Sequence, residues 1–211
     1  MANTAALEGT NRLRDIRRSS ASHLAGAMEA GSVEGTVVLK EGPFQTMVGV
    51  RVAPGSEGGA RIGTVTGGLP ARCGEVTGTD SVSVLWLGPA EFLVVAPEEA
   101  HDSLGGDLIG SLTAALGDSP GQVVDLSANR TTFELSGPRA RAVLEKGCAL
   151  DLHPRSFAPG TAVSTEVGNI PAILFKTGED SFRLFPRASL AEFLGRWLLD
   201  AMREFASPEV P

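Results

Sequence analysis

The chain has 211 residues, of which 42% are hydrophobic and 20% charged, and this composition is typical of a folded globular protein. Its formal net charge of −7 disfavours non-specific binding to nucleic acid, and no apolar run approaches the roughly 20 residues that span a bilayer. Two cysteines, Cys73 and Cys148, form no close-spaced motif, so we expect a reducing cytoplasm and no disulfide framework.

The first 22 residues are predicted to form an arm outside the folded body. They hold four arginines but few apolar side chains, mainly Leu7, Leu13 and Ile16. So little apolar surface does not offset about 1–2 kcal/mol of backbone entropy per ordered residue. We therefore expect the arm to become ordered only on a partner. The body is predicted to cover residues 23–205, followed by a tail over 206–211.

Four prolines mark equivalent junctions in the body, at intervals of about 40 residues. They are Pro54, Pro97, Pro138 and Pro186. Each follows two apolar segments that a turn separates, and a segment with helical periodicity comes next. The pattern predicts four β-β-α units.

The second unit shows the pattern most clearly, with "SVLWLG" and "EFLVVA" as its strands. Pro97 is expected in the first turn of the helix, where its missing N–H has no partner. Glu98 and Glu99 are then expected at the positive end of the helix dipole. The apolar positions of this helix are Leu104, Leu108, Ile109, Leu112 and Leu116.

The helices of the other units differ in strength. The first, after Pro54, is the weakest because its segment is rich in glycine. The third, in "RARAVLEKG", is predicted to end at a left-handed cap on Gly147. The fourth is predicted to bury a single apolar face. That face consists of Leu190, Phe193, Leu194, Trp197 and Leu198.

Two β-β-α units make four strands with two helices on one face. Four units therefore predict an α+β fold of two interlocked ferredoxin-like two-layer sandwiches. No long linker separates the halves, which are predicted at about residues 23–115 and 116–205.

One segment matches the Gly-x-Ser-x-Gly motif of serine hydrolases: "GDSPG", residues 117–121. That motif needs a strand before the serine and a helix after it. Here the predicted order is reversed, so Gly117 is better explained as a helix C-cap and Ser119 as a turn residue.

Metal and nucleotide motifs are missing from the sequence. His23, His101 and His153 lie too far apart for metal-ligand spacing, and no Cys-x-x-Cys occurs. His153 has Asp151 as a potential partner, although an exposed loop histidine is the more common case. The chain contains no Gly-x-Gly, and none of its three lysines lies in a P-loop context.

The segment "VVDLSANRTTFEL" is unusually polar for a sheet. A buried pair of Asp125 and Arg130 would orient a carboxylate-bearing ligand or a folate-like ring. The favoured alternative is a hairpin turn in which Asn129 adopts positive φ, with Ser127 on an exposed face. Arg139 begins the third helix and is a weak phosphate-site candidate, because helix capping explains it equally well.

Several motifs resemble the gamma subunits of bacterial heterotetrameric sarcosine oxidases. They are "DLSANRTT", "LSGPRAR", "LEKGC" and "LDLHPR", and the resemblance covers about residues 23–204. "LSGPRA" alone also resembles the folate-binding aminomethyltransferase superfamily, which has a related fold.

The resemblance implies an assembly with alpha, beta and delta chains that oxidises sarcosine to glycine, formaldehyde and hydrogen peroxide. With tetrahydrofolate it implies methylenetetrahydrofolate instead of formaldehyde. It assigns FAD, FMN and NAD to alpha and beta, zinc to delta and the folate site to alpha. It gives this chain no catalytic, cofactor-binding or metal residue. A stand-alone folate-binding or aminomethyl-transfer protein and a hydrolase using Ser119 remain as alternatives.

Overall fold

The computed structural model describes residues 17–206; the sequence prediction for the arm before Arg17 concerns residues outside this range. The strands are β1 (Val38–Glu41), β2 (Gln45–Val52), β3 (Val76–Gly78), β4 (Ser83–Gly88), β5 (Glu91–Pro97), β6 (Gly121–Asp125), β7 (Phe133–Ser136), β8 (Thr161–Val167), β9 (Ile170–Gly178) and β10 (Ser181–Pro186). The α-helices are α1 (Ala25–Gly31), α2 (Glu57–Thr66), α3 (Leu108–Leu116), α4 (Ala140–Glu145) and α5 (Ala191–Ala206). No helix in this part of the chain is long and apolar enough to cross a membrane.

The strands form two five-stranded antiparallel sheets. Sheet I has the order β1-β7-β10-β9-β8, and sheet II has the order β3-β4-β5-β2-β6. Every neighbouring pair is antiparallel. The α+β prediction is confirmed, but each sheet has five strands where two β-β-α units predict four, because β8 adds an edge strand to sheet I and β3 adds one to sheet II.

Alternation along the strands produces three apolar clusters. On β5, Phe92 and Val94 face helices α2 and α3, whereas Leu93 and Val95 face the other sheet. The opposite side of sheet I packs against α1, α4 and α5, where Leu194 of α5 is fully buried. The body therefore has four layers: helices, sheet II, sheet I and helices.

The chain crosses between the sheets at two places. Strands β1 and β2 lie in different sheets, and so do β6 and β7. The crossovers are residues 42–44 and 126–132. The predicted hairpin at Asn129 is therefore wrong, and Asn129 does not have positive φ. Leu126 donates its N–H to Met47 O at 2.8 Å, so the chain continues beside β2 after β6 ends. It then passes to sheet I and does not fold back against β6.

The second helix begins later than the sequence predicts. Two short 3-10 turns, Glu98–Ala100 and Asp102–Leu104, follow Pro97, and α3 begins only at Leu108. Glu98 and Glu99 consequently do not lie at the N-terminus of an α-helix. That end is satisfied by Asp102, whose carboxylate accepts the backbone N–H groups of Ile109 and Gly110 at 2.9 and 2.8 Å.

Helix α2 forms despite its glycines because both of its ends are capped. Ser56 accepts the N–H of Gly59 at 3.0 Å, and Gly67 ends the helix with φ of 82°. Gly59 itself is required by packing, since a Cβ there would lie 2.4 Å from Ala53 O.

The last helix buries a narrower face than predicted. Leu194 and Leu198 are fully buried and Trp197 is half-buried, but Phe193 is 52% exposed. Phe193 was therefore wrongly assigned to the core face.

The prediction for Gly147 was also wrong, because this glycine does not have positive φ. It is instead the residue against which the ring of Trp197 packs.

Candidate functional site: the crossover cleft

The two crossovers run side by side and enclose a cleft of about 200 Å³. We call it the crossover cleft. Its lining consists of residues 17–20, 42–45, 47, 127, 128 and 130–132. It contains much of the polar segment that the sequence singled out, together with the first described residues of the chain.

Residues 17–22 are packed onto the body. The Arg17 guanidinium pairs with Glu98 at 2.7 Å and lies 4.2 Å from the ring centroid of Phe44. Glu41 accepts hydrogen bonds from the Ser19 hydroxyl and from the N–H of Ala21. The end of the predicted arm is thus held at the mouth of the cleft.

Hydroxyl groups hold the two crossovers together. Thr131 donates to Glu41, and Thr132 donates to the Gln45 side-chain oxygen at 3.1 Å. The buried hydroxyl of Ser127 accepts the N–H of Met47 at 3.1 Å. These contacts fix the floor of the cleft, because each buried hydroxyl is satisfied across the crossing.

The cleft has an arginine on one wall. Arg130 is half-buried and donates from Nη1 to Phe185 O at 2.8 Å. Its backbone forms an isolated bridge with Arg187. Burial lowers the pKa of Arg130, and the positive charge of Arg187 lowers it further. The pair of Asp125 and Arg130, which was the less favoured interpretation of the sequence, does not form, since Asp125 pairs with His101.

The pair of Asp125 and His101 lies outside the cleft. His101 Nε2 is 2.9 Å from the Asp125 carboxylate, and His101 Nδ1 accepts the N–H of Ser103 at 3.1 Å. The proton is therefore on Nε2 when the ring is neutral. Burial acts to raise the pKa of Asp125, but hydrogen bonds from Ser127 and His101 outweigh it and lower that pKa below 3.8.

Replacing Asp125 with Asn is expected to reduce stability at pH 7 and to flatten its acid dependence. A carboxylate with a lowered pKa stabilises the fold above its ordinary pKa, and the contribution disappears as the pH falls through the lowered value. The loss should be under about 1 kcal/mol because the Asp125 side chain is 45% exposed. Urea unfolding between pH 5 and pH 3 should show the two proteins converging; a constant difference would contradict this.

Ser119 lies in a turn after α3, as predicted, and Gly117 caps that helix. The Ser119 hydroxyl accepts a hydrogen bond from Arg61 at 3.2 Å. Arg61 also donates to Ala115 O and Leu116 O at 2.7 and 3.0 Å. The serine therefore belongs to the arrangement that satisfies the C-terminus of α3.

We expect Ser119→Ala to leave any catalytic activity of the chain or of an assembly that contains it unchanged. It should lower the free energy of unfolding by under about 1 kcal/mol, because Arg61 keeps its two bonds to the helix carbonyls. Arg61→Gln, which removes these three bonds and the pair of Arg61 with Glu57 at 2.7 Å, should cost more than Ser119→Ala. Steady-state kinetics and urea unfolding measure both effects, and a large fall in turnover by the serine variant with assembly intact would contradict the assignment of Ser119 to a structural turn. Labelling of Ser119 by an active-site serine reagent would favour the hydrolase alternative.

The other candidate residues are structural or dispersed. Asp151 accepts the N–H of His153 at 3.0 Å and the hydroxyl of Ser156 at 2.6 Å, so it organises a turn instead of pairing with the imidazole. Arg139 begins α4 without a side-chain cap, and its guanidinium lies 5.7 Å from the Phe205 ring centroid. Within residues 17–206, no group of three or more His, Cys, Asp or Glu is placed to hold a metal ion.

Sequence reasoning missed Arg17 and Gln45 as parts of the cleft and Glu41 as the acceptor beside it. The one local signal was Gly42-Pro43 directly after an apolar strand, which marks a break in the chain path. Nothing in the sequence linked that break to residues 126–132, because the two segments meet only when both sheets are packed.

Comparison with known proteins identifies the family. The family model described as "Sarcosine oxidase, gamma subunit family" matches residues 64–204. The sarcosine oxidase subunit gamma of an Arthrobacter species is 51% identical over 212 residues, covering the full length of both chains. This chain belongs to the sarcosine oxidase gamma subunit family. Its member from Corynebacterium sp. strain U-96 is 49% identical, again over the full length of both chains.

Solved structures agree with this membership. A chain of the heterotetrameric sarcosine oxidase from Corynebacterium sp. U-96, in complex with pyrrole 2-carboxylate, matches with a TM-score of 0.86 and 50% identity, covering 93% of this chain and all of that one. The glycine cleavage system aminomethyltransferase T from Bartonella henselae matches with a TM-score of 0.58 at 16% identity, covering 85% of this chain and 49% of that one. The second match shows that the gamma subunit family shares the aminomethyltransferase fold.

Proposed function

We propose that the chain is the non-catalytic gamma subunit of a heterotetrameric sarcosine oxidase with alpha, beta and delta partners. The assembly oxidatively demethylates sarcosine to glycine, forming hydrogen peroxide and either formaldehyde or methylenetetrahydrofolate. The observation that carries this proposal is about 50% identity over the whole length of chains named sarcosine oxidase subunit gamma. The alpha chain is the proposed direct partner, and the cytoplasm the proposed location.

In this proposal FAD, FMN and NAD belong to alpha and beta, zinc belongs to delta and tetrahydrofolate binds alpha. Two features of the described body support that division. The crossover cleft, at about 200 Å³, is below the roughly 300–1,000 Å³ of typical ligand pockets. A groove of about 680 Å³ beside α1 is larger, but Glu29 and Glu34 on its lining disfavour the phosphates of flavin and nicotinamide cofactors.

The organisation of the chain is part of the same proposal. Residues 1–22 are an arm whose last part, residues 17–22, packs onto the body. Residues 23–205 are a body of interlocked halves at about 23–115 and 116–205, and residues 206–211 are a tail that begins at the last residue of α5. The placement of β1 in sheet I, beside strands of the second half, supports the interlock.

Purification of the tagged full-length chain from its native host tests this function. We expect three further chains of an oxidase to co-purify, with sarcosine-dependent hydrogen peroxide formation by the assembly and none by the isolated chain. An assembly prepared without this chain is the matched control and should be unstable or inactive. Turnover of sarcosine, or binding of tetrahydrofolate, by the isolated chain would favour the stand-alone alternative.

A further inference from the structure

The crossover cleft holds more positive charge than the residues around it neutralise. Three arginines line it, namely Arg17, Arg18 and Arg130. Arg17 is paired with Glu98, but neither Arg18 nor Arg130 has an ion pair within residues 17–206. Glu41, beside the cleft, is satisfied by hydrogen bonds from Ser19, Ala21 and Thr131, not by an arginine. The lining itself contributes no acidic side chain, although the protein as a whole has a net charge of −7.

The position of Arg130 makes this excess charge costly. Its guanidinium is half-buried and is held by one hydrogen bond to Phe185 O, which leaves most of its five N–H donors available. The neighbouring Arg187, bridged to it through the backbone, is exposed and adds a second positive charge. A guanidinium partly removed from water with a single protein acceptor is destabilising, and an anion beside it offsets that cost.

The volume of the cleft limits what that anion is. About 200 Å³ is below the roughly 300–1,000 Å³ of typical pockets for larger ligands, so the cleft suits a small group. A carboxylate with a short carbon chain fits this space, whereas a dinucleotide does not. Arginine binds a carboxylate through two parallel N–H···O bonds, which are among the strongest hydrogen bonds in proteins.

We propose that the crossover cleft is a binding site for a carboxylate group, held by Arg130 on its wall and Arg18 at its mouth. The carboxylate is supplied either by a small organic acid or by an acidic side chain of another subunit. The recognition chemistry is the same in both cases. A bound carboxylate would therefore contact both crossover segments that connect the two sheets.

Malonate binding to the isolated full-length chain, followed by NMR of the arginine side chains, tests the site. Arg130→Gln should weaken binding by about tenfold or more, since it removes a charge-assisted bidentate contact. Arg18→Gln should weaken it by a smaller factor. Arg155→Gln, an exposed arginine outside the cleft, is the matched control and should bind as the unchanged chain does.

The same titration has outcomes that overturn the site. Malonate affinity that is equal in the unchanged chain and in Arg130→Gln, or binding that is absent from both, contradicts the proposal. Circular dichroism checks that the variants are folded. If Arg130→Gln does not fold, the Arg18→Gln variant provides the test, because Arg18 is exposed and its replacement should not unfold the chain. Unchanged malonate affinity of Arg18→Gln would then overturn the site.

Titration of the assembled oxidase distinguishes the two sources. If a partner's acidic side chain fills the cleft, malonate should bind the isolated chain but not the assembly, and Arg130→Gln should weaken assembly. If a small organic acid is the ligand, malonate should bind both with equal affinity. The experiment on the assembled oxidase rests on the proposed function, whereas malonate binding to the isolated chain does not. A negative result with the isolated chain therefore contradicts only the carboxylate site, and failure to assemble contradicts only the proposed function.

Discussion

Trp197→Ala is expected to lower the free energy of unfolding by about 3 kcal/mol. Truncation of a buried aromatic costs roughly 3–5 kcal/mol, and the lower end applies because Trp197 is only half-buried. The indole lies directly on Gly147 and Gly168, so its removal leaves a gap between α5 and two backbone segments. That loss is large beside a typical total stability of about 5–15 kcal/mol.

Equilibrium urea unfolding measures this prediction, and the same helix provides its control. Phe193 is also aromatic and lies four residues earlier, but it is 52% exposed, so Phe193→Ala should cost under about 1 kcal/mol. A loss of under about 1 kcal/mol for Trp197→Ala as well would show that Trp197 contributes little to the core. In that case the tryptophan would become a candidate contact for a partner chain.

Gly147→Ala is expected to destabilise the protein by about 1–3 kcal/mol through overpacking. A Cβ at this position would lie 2.4 Å from the Trp197 ring, and a rigid indole cannot move aside without disturbing α5. The backbone conformation itself does not forbid alanine, because Gly147 lacks positive φ. The expected cost therefore comes from the ring.

A double-mutant cycle tests that origin. In the Trp197→Ala background the same glycine substitution should cost close to nothing, which gives a coupling of about 1–3 kcal/mol. Gly55→Ala is the matched control, because its Cβ would meet nothing within 4 Å and its φ is not positive. It should be neutral or slightly stabilising. A cost for Gly147→Ala that persists without the indole would assign the effect to the backbone.

The fold class was predictable because alternation and helical periodicity are local. The hairpins of β4 with β5 and of β9 with β10 follow from apolar segments and turn residues that are neighbours in the sequence. The helix after Pro54 was harder to predict, since its glycines lower helix propensity while the caps at Ser56 and Gly67 support it.

The errors share a cause. Asn129 was placed in a hairpin because the residues around it are turn formers, but the chain there passes to a different sheet. A pair of Asp125 and Arg130 was an alternative because the two are close in sequence, yet each bonds to a residue from another part of the chain. Local pattern cannot specify a long-range partner, because many pairings satisfy the same hydrophobic alternation.

The sequence by itself determined the four β-β-α units, the family membership and the turn at Ser119, but it did not indicate α1, β3 or β8. Only the tertiary structure decided that β1 joins strands of the second half, that Gly147 is required by the Trp197 ring, and that residues 17–20, 42–45 and 127–132 enclose one cleft. The physical reason is distance along the chain. Propensity, capping and alternation act over a few residues, whereas the packing of two sheets brings together side chains that are more than 80 positions apart, such as Arg17 and Glu98.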